Sequence, residues 1–183
     1  QAGNKLAGRP FPPNAGAPWA NAYVYNTLEA MCLALMVDAQ GDPEMLAAQA
    51  KMRQTIEDWI PKILGAQEPD GYMQPFYTLN SVPRWTVRTD HEGYLAAYLI
   101  EAAIAHHQMT DGKDARLYEA AKKLADCWCA NIGPAPKKAY VDGHQGFEMT
   151  LVHLARDVES CEGAGRGRKY VDLAKYLMDG RKD

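Results

Sequence analysis

The sequence predicts an all-α fold, a helical repeat or toroid with two concentric layers. Three observations carry this. Apolar residues recur at helical spacing along nearly all of the 183 residues, and no convincing alternating strand pattern interrupts them. His91-Glu92-Gly93-Tyr94 returns 53 residues later as His144-Gln145-Gly146-Phe147; at the same offset Ala121-Lys122, Leu124 and Asp126 return as Ala174-Lys175, Leu177 and Asp179. The unit pairs a helix that is apolar on nearly every side with an amphipathic one, which suits an inner and an outer layer.

Residues 1–18 read as an irregular N-terminal segment. The first helix is expected from Trp19 to Ala39, with Val24, Leu28, Met31 and Leu35 on one stripe. Gly41-Asp42-Pro43 stops it and starts the second helix, with Asp42 as cap and Pro43 in the first helical position. Pro61 predicts a kink or break before Gly65. A long connection from Gln67 to Arg88 carries Pro69, Pro75 and Pro83. The third helix starts at Thr89-Asp90-His91-Glu92, where Thr89 and Glu92 spell a capping box and Asp90 is the rival cap. From Tyr94 to Ala105 it is apolar except for Glu101, which predicts burial all round. The fourth helix, Asp114 to Ala130, turns Leu117, Ala121, Leu124 and Trp128 inward. The fifth carries Phe147, Leu151 and Leu154, and the sixth Tyr170, Leu173, Ala174 and Leu177. The two long connections precede the third and fifth helices. Antiparallel neighbours therefore put both connections, with His91 and His144, on one face.

Twenty Lys and Arg against 23 Asp and Glu leave a formal charge of −3, so no basic excess points to nucleic acid. No apolar run is long enough to span a membrane. The sequence opens at Gln1 without the charged and apolar regions of a secretion signal, so localisation stays unassigned and both ends are expected to be cuts. Cys32, Cys127, Cys129 and Cys161 form no Cys-x-x-Cys pair and read as small buried hydrophobes. No metal ligand is assigned.

On the predicted face, Tyr72, Phe76, Tyr77 and Trp85 offer rings suited to sugars, and His91 and His144 add directional donors and acceptors. Gln67, Asp70 and Gln145 add polar groups. The alternative stands beside this: histidines at helix starts can satisfy local backbone, and ring-rich loops can plug the end of a bundle. His106, His107 and His153 read as surface or packing residues, and Glu101 as a hydrogen-bond partner for a neighbouring helix. No Ser/His/Asp set, phosphate-binding glycine loop or HExxH is legible, and Gly163 to Gly167 reads as a flexible connection.

Gln67-Glu68-Pro69-Asp70-Gly71-Tyr72, Arg84-Trp85, His91-Glu92-x-Tyr94, Leu99 to His106, Gly143-His144-Gln145 with Glu148, and Tyr170 to Tyr176 follow one another in an order that resembles a known family. The chain from about Trp19 to Arg181 is similar to the N-terminal part of the catalytic domain of β-L-arabinofuranosidase-type glycoside hydrolases, family 127 and its relatives. The resemblance implies an (α/α)6 toroid of the six-hairpin type, with about half of the barrel present here as six helices over residues 19–183. It implies a hydrolase acting on plant-type glycans. His91 and His144 would contact sugar in the −1 subsite, with Tyr72, Trp85 and Tyr94 shaping the pocket. It also implies a cysteine nucleophile, a zinc held by cysteines and a glutamate, and a separate acid/base glutamate, all expected beyond Asp183; no cofactor is expected within this chain. The expected partners are a carbohydrate substrate and the remaining half of the barrel, whose absence would expose an apolar edge. Two segments depart from the family pattern. Leu95-Ala96-Ala97-Tyr98 replaces Cys-Ala-Gly-His, and Gly146 stands where a glutamate is expected. Two rival readings are a non-catalytic helical-repeat module that binds a protein, and a toroid enzyme of other chemistry, an epimerase or a lyase.

Overall fold

The computed structural model describes residues 1–13 and 16–181. It contains α1 (Ala2–Leu6), α2 (Ala22–Leu35), α3 (Pro43–Leu64), α4 (Pro75–Asn80), α5 (Glu92–Met109), α6 (Arg116–Asn131), α7 (Phe147–Glu162) and α8 (Arg168–Asp179), with a 3-10 turn at Arg88–Asp90. Among the described residues the β structure is a single isolated bridge, Ile132 to Lys138. None of these helices is long and apolar enough to cross a membrane.

The layers follow the expected alternation. Helix α5 packs against α2, α6 and α7, while α3, α6 and α8 pack side by side behind them. Burial covers most of α5: Leu95, Leu99, Ile100, Ala102 and Ala103 are closed off from solvent, and Tyr94, Tyr98 and Glu101 form a half-buried stripe, so the expected burial all round is not complete. The amphipathic helices bury one stripe each, Leu117, Ala121, Leu124 and Trp128 on α6 and Tyr170, Leu173, Ala174 and Leu177 on α8. Leu124 and Leu177, equivalent in the repeat, are both core residues. Burying a leucine side chain contributes about 1.5–3 kcal/mol, so these stripes hold the outer layer to the inner.

Local signals mostly act as expected. The Asp42 carboxylate accepts from the backbone N–H of Glu44 and Met45 at 2.8 and 3.0 Å, and Pro43 takes the first helical position. Glu101 accepts from Thr150 Oγ1 at 2.8 Å and lies 3.0 Å from His153 Nδ1, joining α5 to α7.

Several expectations need correction. Residues 1–18 are not wholly irregular, because α1 packs on α3 and α4 and the Lys5 ammonium donates to the Leu79 carbonyl at 3.0 Å. The first helix is shorter than expected, 22–35. Pro61 lies inside α3 without a break; its missing N–H would have met the carbonyl of Glu57, an exposed residue, so little is lost. The connection after Gln67 contains α4, started by Pro75 and capped by Gln74 Oε1 on the N–H of Phe76 at 2.9 Å. The Thr89–Glu92 capping box does not form. His91 takes the cap position in the left-handed region, φ 60°, and Glu92 turns into the core.

Candidate active site

The site lies where the inner helices begin. His91 precedes α5, His144 precedes α7, and Trp19 precedes α2. The His91 and His144 rings meet edge to face with centroids 5.9 Å apart. Tyr94 lies 4.4 Å from His144 and 5.9 Å from His91, Trp19 lies 5.5 Å from His91, and Tyr98 packs on Tyr94 at 4.7 Å. His144 is exposed, and His91 and Tyr94 are partly so. The group forms an open wall of rings and imidazoles. Burial pushes the Tyr94 hydroxyl up to about 12, so it stays a neutral donor and acceptor across the physiological range.

One buried carboxylate ties the backbone of the two histidine segments together. Asp142 accepts from the backbone N–H of Gly93 through Oδ2 and from that of His144 through Oδ1, each at 2.7 Å. Oδ1 also lies 3.6 Å from His91 Nδ1. A carboxylate at the first turn of α5 is favoured by the unpaired N–H groups there. Two glycines allow the approach. A Cβ on Gly93 would lie 3.0 Å from the Asp142 Cβ, and one on Gly143 would lie 2.7 Å from the Arg88 carbonyl oxygen. Burial raises the Asp142 carboxyl above its ordinary value, against the pull of these N–H groups.

Behind α5, Glu92 is 2% exposed, and both its oxygens are used. Oε2 accepts from the Tyr72 hydroxyl, and Oε1 from the backbone N–H of Trp85 at 2.6 Å. Burial pushes this carboxyl up to about 7. Behind α7 the corresponding work falls to Arg181, whose guanidinium donates to Glu148 Oε1 at 2.5 Å, to the Asp142 carbonyl at 2.9 Å and to the His144 carbonyl at 2.7 Å.

The structure separates the sequence-predicted residues into two groups. His91, His144 and Tyr94 come together, and Gln145 is exposed next to His144. Tyr72 and Trp85 do not present ring faces to the open side, which corrects the expectation that they shape a pocket. Both are buried, packed edge to face at 5.5 Å, and Trp85 packs on Trp128 at 5.7 Å. The Arg84 guanidinium covers Tyr72 at 3.9 Å. Asp70 is likewise engaged, since Arg84 reaches its Oδ2 at 2.5 Å and holds its carboxyl below the usual range. Gln67 donates to the carbonyls of Gly71 and Ala120. Trp19, Tyr98, Asp142 and Arg181 escaped the sequence reading. Trp19 carried a usable signal, a large ring opening the first inner helix and hence on the same face as His91. Tyr98 is one of the departures from the family pattern, and it contributes a ring to the wall.

The cysteines are scattered. Cys32 and Cys127 are buried, Cys129 is half-buried, and Cys161 is exposed, unlike the buried hydrophobe expected. Two groups of described residues bring three metal-ligating side chains together, His107, Asp157 and Cys161, and Glu57, His106 and Asp114. Neither contains two cysteines, so this chain's residues do not fit a zinc held by several cysteines and a glutamate.

The fold places the chain among the all-helical toroid glycoside hydrolases. It matches the crystal structure of a GH127 β-L-arabinofuranosidase from Geobacillus stearothermophilus T6 with a TM-score of 0.80 at 28% identity, covering 98% of this chain and 26% of that one. A second GH127 β-arabinofuranosidase structure matches at 0.77 and 30%, covering 98% of this chain and 27% of that one. The chain belongs to glycoside hydrolase family 127: the family described as beta-L-arabinofuranosidase, GH127 catalytic domain, matches residues 4–182. A non-reducing end β-L-arabinofuranosidase of Bifidobacterium longum subsp. longum is 34% identical over 173 residues, 91% of this chain and 24% of the relative. The chain thus spans about a quarter of the length of these relatives.

Proposed function

We propose that this chain forms one wall of the −1 subsite of an exo-acting β-L-arabinofuranosidase, in which His91 and His144 hydrogen-bond the hydroxyls of the terminal sugar. The meeting of the two imidazoles at 5.9 Å on an open face carries the reading. His91 Nδ1 is buried beside Asp142, which leaves three ring nitrogens on the open side to donate or accept and so match hydroxyls that do both. Tyr94 supplies a ring face beside them, and Gln145 a further amide. Tyr72, Trp85 and Asp70 act indirectly, by fixing the ground from which α5 starts.

Glycoside hydrolysis needs two groups on opposite sides of one glycosidic bond, a nucleophile or base and an acid. The residues assembled here bind and orient; the reacting pair comes from residues outside these 183. The remaining half of the barrel would close the site and would pack along the apolar edge of α7 and α8, where Met149 and Met178 are 60% and 59% exposed.

In a chain extended to the length of its relatives, His91→Ala and His144→Ala should each lower kcat/KM on an aryl β-L-arabinofuranoside by about 10–100-fold, the worth of one or two hydrogen bonds. The 183-residue chain alone should bind arabinofuranosides weakly, with chemical-shift changes centred on His91 and His144, and hydrolyse none. Turnover by the 183 residues alone would overturn the reading. Full activity in both histidine variants would do the same.

A further inference from the structure

At the opposite end of the inner layer, α5 and α7 bring together three side chains that the sugar site does not use. His107 lies in the last turn of α5, sixteen residues after His91, which is about 24 Å along the helix. Asp157 and Cys161 lie four residues apart on α7 and so share one face. Their ligand atoms, one nitrogen, one oxygen and one sulfur, all fall within 4.8 Å of one another.

Hydrogen bonding does not account for this arrangement. His107 Nδ1 stands 3.7 Å from Asp157 Oδ2, beyond hydrogen-bond reach, and that oxygen is buried with no partner. An orphaned buried carboxylate oxygen is costly and calls for a missing group. The separation is close to the edge of a tetrahedron around a metal with ligands at about 2.0–2.3 Å, roughly 3.3–3.7 Å. The His107 ring is held in plane by stacking on Tyr118, with centroids 4.2 Å apart and planes 10° from parallel, so its orientation needs little adjustment.

The second cluster supplies the contrast. Glu57, His106 and Asp114 also converge, but Arg116 already sits among them, 2.8 Å from Glu57 and 2.5 Å from Asp114. A guanidinium serves there as the cation. The ionic neighbour of Asp157 is His107 itself.

We propose that His107, Asp157 and Cys161 form a three-ligand site for a divalent transition metal of the zinc class, with water in the fourth position. The imidazole, carboxylate and thiolate set matches a borderline-soft ion. On binding, the Cys161 thiol loses its proton to solvent and the sulfur takes up the metal bond; no oxidant or reductant is involved. Such an ion would tie α5 to α7 at the end remote from the histidine wall.

The test is to titrate the reduced, metal-free 183-residue chain with Co²⁺ and follow the thiolate-to-cobalt charge-transfer absorption, then displace it with Zn²⁺. One equivalent should bind with that absorption. Cys161→Ser should abolish the absorption, and Asp157→Asn should weaken binding by about 10–100-fold. Cys129→Ser should leave both unchanged. Cys161 is exposed, so its variant should keep the wild-type circular dichroism spectrum. Absence of a thiolate band at one equivalent, or a band that survives in Cys161→Ser, would overturn the assignment.

Discussion

His91 stands at the cap of α5, whereas His144 stands two residues before the cap of α7, which is Gly146 at φ 131°. The sequence repeat has a period of 53, yet the two helices start 55 residues apart, at Glu92 and Phe147. The two ends are also secured by opposite chemistry. Behind α5 the anchor is a buried carboxyl, Glu92, holding the Tyr72 hydroxyl and the Trp85 N–H in a dry setting. Behind α7 it is a guanidinium, Arg181, holding two carbonyls and Glu148 in a partly wet one. A repeat can therefore place equivalent side chains together while their supports diverge. One support should respond to pH, and the other should resist it.

The largest effect should come from Glu92. Glu92→Ala leaves the Tyr72 hydroxyl and the Trp85 N–H buried and unpaired, and should cost about 3–5 kcal/mol in denaturant unfolding. The pH dependence follows from the raised carboxyl, about 7 in the fold against an ordinary 4.5. Between those values the folded chain keeps a proton that the unfolded chain gives up. The contribution is therefore full below about 4.5 and is lost as pH rises through about 7, by about 3 kcal/mol. Glu92→Gln should remove most of that slope, and Asp142, also raised by burial, should leave a smaller one of the same sign. An unchanged slope in Glu92→Gln would erase the contrast between the two ends.

Asp142 serves both ends, so Asp142→Ala should loosen both. Loss of the contacts to Gly93 and His144 should cost about 2–3 kcal/mol. Amide exchange should speed up at residues 93–95 and 143–146 together. Exchange that changes at only one of these segments would show that the carboxylate does not couple them.

The smallest effect should come from Arg181→Ala, about 1–2 kcal/mol, because the freed His144 carbonyl lies at the surface and can be hydrated, and Glu148 keeps the backbone N–H of Gly146. Exchange should rise at 143–148 and stay unchanged at the start of α5. Equal loosening at both ends would show that the two supports are not independent.

The layered architecture was legible because it rests on local periodicity: α5 is apolar all round, and α6 and α8 bury one stripe each. The meeting of His91 and His144 was legible from the repeat and the alternating direction of the helices. Tyr72 and Trp85 were misread because a ring in a loop looks the same whether the loop lies open or folds inward; here Arg84 closes over Tyr72, and Trp85 packs on Tyr72 and Trp128. Asp142 was not legible because its partner, Gly93, lies 49 residues away and leaves no local pattern. Glu92 matched a capping box by spacing, but two buried donors outcompeted the helix end for its oxygens.

The position of Arg181 has a consequence for the order in which the molecule is assembled during synthesis. The partners of Glu92, Tyr72 and Trp85, are translated before it, so the support behind α5 can close as soon as α5 emerges. The loop at His144 cannot gain its guanidinium until the ribosome has moved past α8. A nascent chain paused between α7 and α8 would thus carry a finished clasp behind His91 and an unfinished one at His144.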